Sequence, residues 1–92
     1  MKKRIFKYML EITDQQRIDL PIGYELLDVK MQNGKPCIWC LVDDKADKET
    51  ILFEVYGTGH YLHYDMGMDR KYIGTYHLDN GLVFHLFEYK GV

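Results

Sequence analysis

The chain has 92 residues, of which 47% are hydrophobic and 14% aromatic, so it is too apolar for a disordered segment and fits one domain over residues 1–92. Twelve Lys and Arg against fourteen Asp and Glu give a formal charge of -2, which argues against nucleic-acid binding through bulk electrostatics. No apolar run reaches the length of a membrane span. Two cysteines favour a reducing compartment, so we expect a cytoplasmic protein.

The hydrophobic period is close to two along most of the chain, which predicts strands with one buried face. In chain order, alternation over residues 4–12 predicts the first strand. The pattern then breaks, and Thr13 with Gln16 resembles the cap of a single helical turn. A later alternating segment predicts a strand over residues 50–56. The acidic residues 43–49 are expected to form a solvated loop, and residues 57–70 a long loop.

The pair Asn33-Gly34 lies between two alternating segments and predicts a hairpin with a two-residue type I′ turn. Counting outward from that turn gives the expected cross-strand partners. On the expected core face these are Met31/Pro36, Val29/Ile38, Leu27/Cys40 and Glu25/Val42. On the opposite face they are Gln32/Lys35, Lys30/Cys37, Asp28/Trp39 and Leu26/Leu41.

The pair Asn80-Gly81 predicts a second hairpin of the same type. One face is expected to hold Leu78/Val83, Tyr76/His85, Gly74/Phe87 and Tyr72/Tyr89. The other is expected to hold Asp79/Leu82, His77/Phe84, Thr75/Leu86 and Ile73/Glu88. The resulting architecture is a single all-β domain of about six mostly antiparallel strands, arranged as a small barrel or sandwich.

The motif Cys37-Ile38-Trp39-Cys40 falls inside a predicted strand, where residues three apart point to opposite faces. The two Cα atoms are then about 10 Å apart, which is too far for a disulfide. With His60 and His63 the cysteines follow the order of a zinc site, but the same strand geometry keeps both thiols from one ion. We therefore expect no metal and no cofactor.

The segment Gly57-Thr58-Gly59-His60 directly follows a predicted strand. Glycines at this spacing favour either an ordinary tight turn or a nest of backbone amides that binds an anion. Thr58 and His60 add a hydroxyl and an imidazole. Trp39, expected on the less apolar face of the first hairpin, offers a ring for stacking. The predicted ligand-binding residues are Gly57, Thr58, Gly59, His60 and Trp39.

Both faces of the second hairpin are unusually apolar. Either a second layer of strands covers them, or subunits of a homo-oligomer pack there. On the second alternative, the interface residues are Ile73, Phe84 and Leu86.

Several segments together resemble a family of short proteins that carry a domain of unknown function and occur in phage and bacterial genomes. These segments are Phe6-Lys7-Tyr8, Leu20-Pro21-x-Gly23, residues 32–39, Gly57-Thr58-Gly59-His60, Tyr72-Ile73-Gly74-Thr75 and residues 82–88. The resemblance covers most of the chain and brings no activity with it. It implies a phage–host setting and favours functional roles for Thr58, His60 and Trp39.

Three functions follow as hypotheses. The preferred one is a non-enzymatic, homo-oligomeric binding protein that sequesters a small, anionic, nucleotide-like ligand, as a counter-defence protein in a host cytoplasm. The alternative is a protein–protein inhibitor or adaptor, whose acidic loop suits a basic target. An enzyme comes last, because the chain contains no serine and no catalytic base–nucleophile pair is evident in its sequence.

Overall fold

The computed structural model describes residues 2–62 and 70–89, which form seven strands and no helix. These residues contain no helix that is long and apolar enough to cross a membrane. The predicted all-β class is confirmed, with one strand more than expected. In chain order the strands are β1 Arg4–Met9, β2 Gln15–Pro21, β3 Glu25–Gln32, β4 Lys35–Val42, β5 Lys48–Gly57, β6 Arg70–His77 and β7 Val83–Tyr89.

The strands form two antiparallel sheets, which fit the sandwich alternative of the prediction. One sheet has the order β1-β4-β3 and the other β2-β5-β7-β6. The inward faces share one core of buried apolar side chains. Its members are Leu10, Leu20, Val29, Ile38, Cys40, Val42, Phe53, Val55, Tyr76 and Leu86.

The first hairpin confirms the type I′ turn, because Asn33 and Gly34 both have positive φ, 53° and 81°. The predicted pairing holds from Gln32/Lys35 to Asp28/Trp39. Beyond that point a bulge at Leu27 shifts the register, so the expected partners of the strand's first residues are wrong. Leu26 pairs with Cys40 and Glu25 with Leu41, and the side chain of Leu27 is exposed.

The second hairpin differs from the prediction by one residue. Only Gly81 has positive φ, and the amide of Gly81 donates to the carbonyl of Leu78 at 3.0 Å. The amide of Leu78 in turn donates to the carbonyl of Leu82, which makes a three-residue loop with a glycine bulge. The observed pairs are His77/Val83, Tyr76/Phe84, Thr75/His85 and Gly74/Leu86.

Compared with the predicted pairing, this one-residue shift changes which side chains of β6 and β7 lie on the same face of the sheet. Tyr76 and Leu86 face the core, whereas Thr75 and His85 lie together on the outward face. The predicted pairing of His85 with Tyr76 on the core face is therefore wrong. A second bulge, between Tyr72 and Gly74, brings Tyr72 opposite Phe87.

Strand β2 was not predicted, and the helical turn expected at Thr13–Gln16 does not form. The Thr13 hydroxyl accepts a hydrogen bond from the Gln15 amide at 3.2 Å, and the Gln16 side chain bonds to the backbone of Glu11. These side chain–backbone bonds make a tight bend that leads into a strand. Strand β5 begins at Lys48, so the expected acidic loop ends two residues early, and His63 of the expected long loop lies outside the described residues.

The two sheets approach each other at a seam between β3 and β6. A Cβ atom placed on Gly74 would lie 2.5 Å from Cγ1 of Val29, so only glycine permits this approach. Gly74 directly precedes Thr75, whose side chain belongs to the outward-facing network described next.

Candidate functional site

A tight turn closes the end of β5. The amide of His60 donates to the carbonyl of Gly57 at 3.1 Å, and Gly59 at the third position has a φ of 87°. The amide of Thr58 donates to the carbonyl of Val83 at 3.3 Å, which fastens the turn to the start of β7. The first half of the turn is therefore fixed to two strands of the four-stranded sheet, β5 and β7.

The imidazole of His60 lies over the backbone of Gly57. A Cβ atom at position 57 would lie 2.9 Å from Cε1 and 3.0 Å from Nδ1 of His60. The φ of Gly57 is not in the left-handed region, so its lack of a side chain serves this contact rather than the backbone conformation.

A chain of hydrogen bonds crosses the outward face of the sheet and ends at the turn. The hydroxyl of Thr58 lies 2.7 Å from Nε2 of His85, and Nδ1 of His85 lies 2.9 Å from the hydroxyl of Thr75. Thr75 also bonds to the hydroxyl of Tyr72. Both ring nitrogens of His85 therefore have hydroxyl partners, which hold the ring in one orientation.

Aromatic rings line the same face. The ring centroid of Phe87 lies 5.8 Å from that of Tyr56 and 5.5 Å from that of Tyr72, both edge to face. These rings and the turn enclose an open cavity of about 230 Å³, called here the turn cavity. Its lining consists of Tyr56, Gly57, Thr58, Gly59, His60, Leu62, Tyr72, His85 and Phe87.

A second concavity of about 460 Å³ lies on the other side of His60 and is called here the side concavity. It shares Tyr56, Gly57 and His60 with the turn cavity. Among the described residues of its lining, the one carboxylate belongs to Asp14, and there is no lysine or arginine. His60 therefore lines both concavities, and no described residue of either lining carries a permanent positive charge.

A buried ion pair lies on the same outward face, beside these aromatic rings. Glu54 is 3% exposed and bonds to the guanidinium of Arg70, the first residue of β6. The guanidinium carbon of Arg70 also lies 5.2 Å from the ring centroid of Tyr89. Because β6 begins at Arg70, the pair fixes the start of the strand that carries Tyr72 and Thr75.

A second buried carboxylate lies on the core side. Glu88 is 3% exposed and accepts a hydrogen bond of 2.5 Å from the hydroxyl of Tyr24. Burial, followed by this hydrogen bond, raises the pKa of Tyr24. Burial, followed by the charge of Glu88, raises the pKa of the Cys40 thiol from 9.0 to about 11. This cluster faces the interior, away from the turn cavity.

The structure brings four of the five predicted ligand-binding residues together at the turn cavity: Gly57, Thr58, Gly59 and His60. Of the two alternatives for this segment, the structure shows the tight turn and not the anion nest, because the amides of Thr58 and His60 already donate to backbone carbonyls. Trp39 lies on the outward face of the other sheet, between Lys7 and Asp28, and lines neither concavity. The turn and Trp39 therefore do not form one site.

The predicted interface residues lie within the chain's own packing. Leu86 is fully buried in the core, and Ile73 and Phe84 pack against it. The second sheet covers these side chains, which is the alternative that the sequence left open.

Both cysteines are buried free thiols within β4, as predicted. Cys37 pairs with Met9 and Lys30 on the outward face, whereas Cys40 pairs with Phe6 and Leu26 on the inward face. In residues 2–62 and 70–89, no three His, Cys, Asp or Glu side chains converge as a metal site would require.

Sequence reasoning missed Tyr56, Tyr72, Thr75, His85 and Phe87 as site residues. The signal was present in the alternation His85-Phe87-Tyr89, which places three ring side chains on one face of a strand. The hairpin register concealed it, because a two-residue loop assigns His85 to the core face.

Nearly the whole chain matches one known protein family. The family model described as "Domain of unknown function (DUF7352)" matches residues 1–91. The chain belongs to the DUF7352 family. Searches of curated proteins and of solved structures returned no match. Family membership assigns no activity, so a functional interpretation depends on the site itself.

Proposed function

We propose that this domain is a non-enzymatic binding protein that holds the base of a nucleotide-like ligand in the turn cavity. The observation that carries the proposal is the convergence of three polar side chains, Thr58, His60 and His85, with three aromatic rings around one open cavity. Ligand sites combine mostly apolar walls with a few fixed polar groups, and this cavity has that composition.

The size of the turn cavity favours a single planar ring system. Its volume of about 230 Å³ is below the ~300 Å³ at which pockets for drug-sized ligands begin. A base fits such a space between aromatic walls, while a sugar and phosphate extend toward solvent. The hydroxyl of Thr58 and the imidazole of His60 can each donate or accept a hydrogen bond, which suits the mixed edge of a base.

The charges around the cavity favour recognition of the base over recognition of the phosphate. Of the residues that the structure describes, no lysine or arginine lines either concavity, and the side concavity contains the carboxylate of Asp14. A phosphate bound there would face a carboxylate without a compensating cation. Affinity should therefore depend weakly on the number of phosphates.

We assign the contact between Thr58 and His85 to binding rather than to catalysis. A hydroxyl beside an imidazole also occurs in nucleophile–base pairs, where a carboxylate orients and stabilises the imidazolium. Here the far nitrogen of His85 bonds to the hydroxyl of Thr75, which cannot supply that negative charge.

The biological setting of the proposal rests on the resemblance to phage and bacterial proteins. A protein that sequesters a nucleotide-like signal would act as a counter-defence protein in the host cytoplasm. Two buried free thiols are compatible with a reducing compartment. Homo-oligomerisation remains a prediction, to be measured by sedimentation of the purified protein.

The test is titration of the purified protein with a panel of nucleosides and nucleoside monophosphates, followed by calorimetry and by NMR of the labelled protein. Thr58→Val removes the hydroxyl while keeping the side-chain shape, and His60→Ala removes the imidazole. His77→Ala is the matched control, since His77 is exposed on β6 and lines neither concavity. We expect both site variants to weaken binding about tenfold or more and the control to bind normally.

Three results would contradict the proposal. One is the absence of binding by every member of the panel at millimolar concentration. Another is equal binding by Thr58→Val, His60→Ala and His77→Ala. The third is inorganic phosphate competing as well as the complete nucleotide, which would assign recognition to the anion.

A further inference from the structure

We propose that the free edge of β1 is a docking site for an acidic, extended segment of another protein, which adds to the three-stranded sheet as a fourth strand. This proposal is independent of the turn cavity, which lies on the other sheet. It gives physical content to a protein-binding role for this domain.

The backbone of β1 has one edge unpaired. Strand β1 is the first strand of its sheet and pairs with β4 alone. The amide of Leu10 donates to the carbonyl of Pro36, and Met9 is the partner of Cys37. Since hydrogen-bonded pairs alternate along an antiparallel ladder, Tyr8 and Phe6 also turn their backbone groups toward β4.

The intervening residues Ile5, Lys7 and Met9 therefore direct their N–H and C=O groups away from the sheet. No backbone hydrogen bond joins these three residues to any other described residue on that side. Unpaired groups at regular spacing are the template on which an extended peptide adds to a sheet.

The side chains beside this edge are apolar and exposed. Ile5 is 58% exposed and Met9 is 59% exposed, both on the outward face. On the adjacent strand, Trp39 and Leu41 are half-buried and lie opposite Lys7 and Ile5. An added strand would cover Ile5 and Met9 with its own alternate side chains, as in other cases of strand addition.

The charge of the edge specifies the partner. Lys2, Lys3, Arg4 and Lys7 occur within six residues at its start and centre. Arg4 pairs with Asp44 and Lys7 bonds to Gln32, whereas Lys2 and Lys3 have no ion-pair or hydrogen-bond partner among the described residues. An open concavity of about 910 Å³ lies against this end of β1, and its charged lining residues are Lys2, Lys3, Arg4, Lys45, Asp43 and Asp44. Four cations against two carboxylates in this concavity, with Lys7 farther along the strand, favour an acidic segment.

The same charges disfavour a second copy of this chain as the occupant. Antiparallel pairing of two β1 strands in the register that puts Ile5 opposite Met9 would place Lys7 opposite Lys7 of the other copy. In a parallel pair the basic ends of both copies would lie side by side, and like charges directly opposite each other are destabilising. Lysine on an edge strand is also a device by which proteins prevent self-pairing.

The probe is a seven-residue blocked peptide in which Glu alternates with Val and Ile. Two control peptides have Lys in place of each Glu, or N-methyl groups on alternate amides of one edge. Lys7→Pro removes the outward N–H of position 7 without removing a bond to β4, and proline is tolerated at such edge positions. Lys7→Ala is the matched control, since it removes the same charge but keeps the amide.

We expect the acidic peptide to shift the amide signals of Ile5, Lys7 and Met9 and to change the fluorescence of Trp39. Lys7→Pro should weaken binding about tenfold more than Lys7→Ala does. The N-methylated and lysine peptides should bind at least about tenfold more weakly than the acidic peptide. The dispersion of the NMR spectrum of Lys7→Pro shows whether that variant is folded, and the N-methylated peptide tests the same hydrogen bonds on the unaltered protein.

Four outcomes would overturn the proposal: no binding at about 1 mM peptide, equal binding by the N-methylated peptide, equal binding by the lysine peptide, or signal shifts confined to residues outside β1. A fifth is a dimer in sedimentation that Lys7→Pro dissociates, which would assign the edge to a second copy.

Discussion

The seam between the two sheets predicts that Gly74→Ala destabilises the protein. Gly74 has no positive φ, so alanine is compatible with its backbone conformation. On propensity alone, replacing a strand glycine by alanine stabilises a protein by about 0.5–1 kcal/mol. The packing of Val29 against Gly74 opposes this gain, and the sign of the measured change decides between the two effects.

The magnitude follows from the distance at the seam. The new Cβ atom would lie 2.5 Å from Cγ1 of Val29, whereas carbon atoms pack at about 3.5–4.0 Å. Val29 is 3% exposed and its χ1 is stiff, so the side chain has little room to turn away. Overpacking of this kind costs about 1–3 kcal/mol. A domain of this length has a total stability of roughly 5–14 kcal/mol, so the loss is measurable.

The assay is urea denaturation followed through Trp39, with Gly74→Ala, Val29→Ala and the double variant compared with the parent protein. Val29→Ala removes two buried methyl groups and should cost about 2 kcal/mol by itself. It also removes Cγ1, so Gly74→Ala should be neutral or stabilising in that background. The coupling energy of this cycle should be about 1–3 kcal/mol.

Two results would refute the close approach of β3 and β6. One is a Gly74→Ala variant at least as stable as the parent protein. The other is strict additivity of the two substitutions, because it would mean that the two positions do not touch.

Three further predictions concern single contacts. Gly57→Ala should abolish ligand binding while lowering stability by less than about 1 kcal/mol. Both effects follow because His60 is exposed, so its ring can move out of the cavity when a Cβ atom is added at position 57. Calorimetry measures the loss of binding, and urea denaturation measures the change in stability. Glu54→Gln removes one partner of the buried ion pair and should cost about 3 kcal/mol in thermal unfolding, whereas Glu11→Gln, at a more exposed pair, should cost less than about 1 kcal/mol. The folded-state pKa of the Cys40 thiol is raised from 9.0 to about 11, so the unfolded thiol ionises first and stability falls as the pH rises through this window. In Cys40→Ala the fall should begin at higher pH, and an unchanged alkaline profile would contradict the assignment.

The two hairpins show how far local sequence determines strand pairing. Around Asn33-Gly34 both turn residues adopt positive φ, and the predicted partners hold for five pairs. The same dipeptide at Asn80-Gly81 instead lies in a three-residue loop, which is closed by a hydrogen bond from the amide of Leu78 to the carbonyl of Leu82. Which loop forms depends on which face of the strands must be buried against the other sheet. That choice is made by tertiary packing and is not encoded in the dipeptide.

The candidate site was predictable only in part for the same reason. Residues 57–60 are adjacent in sequence, and their glycine pattern indicated a turn with functional side chains. Tyr72, His85 and Phe87 come from two other strands, and their position opposite this turn depends on the correct hairpin register and on the bulge after Tyr72. Trp39 was on the predicted face opposite Asp28, yet that face belongs to the other sheet. Sheet membership is a long-range property that alternation does not reveal.

The two proposed recognition surfaces lie on different sheets, and this separation bears on how they can act together. The turn cavity is lined by residues of β5, β6, β7 and the turn after β5, whereas the free edge of β1 consists of backbone groups of the other sheet. Between them stands the seam where Val29 meets Gly74, and Gly74 directly precedes Thr75, which bonds to His85. A closely packed interior resists continuous deformation, so a peptide on β1 affects the cavity only if it shifts this seam. Without such a shift the two surfaces bind independently, and the affinity for each ligand is the same whether or not the other is bound.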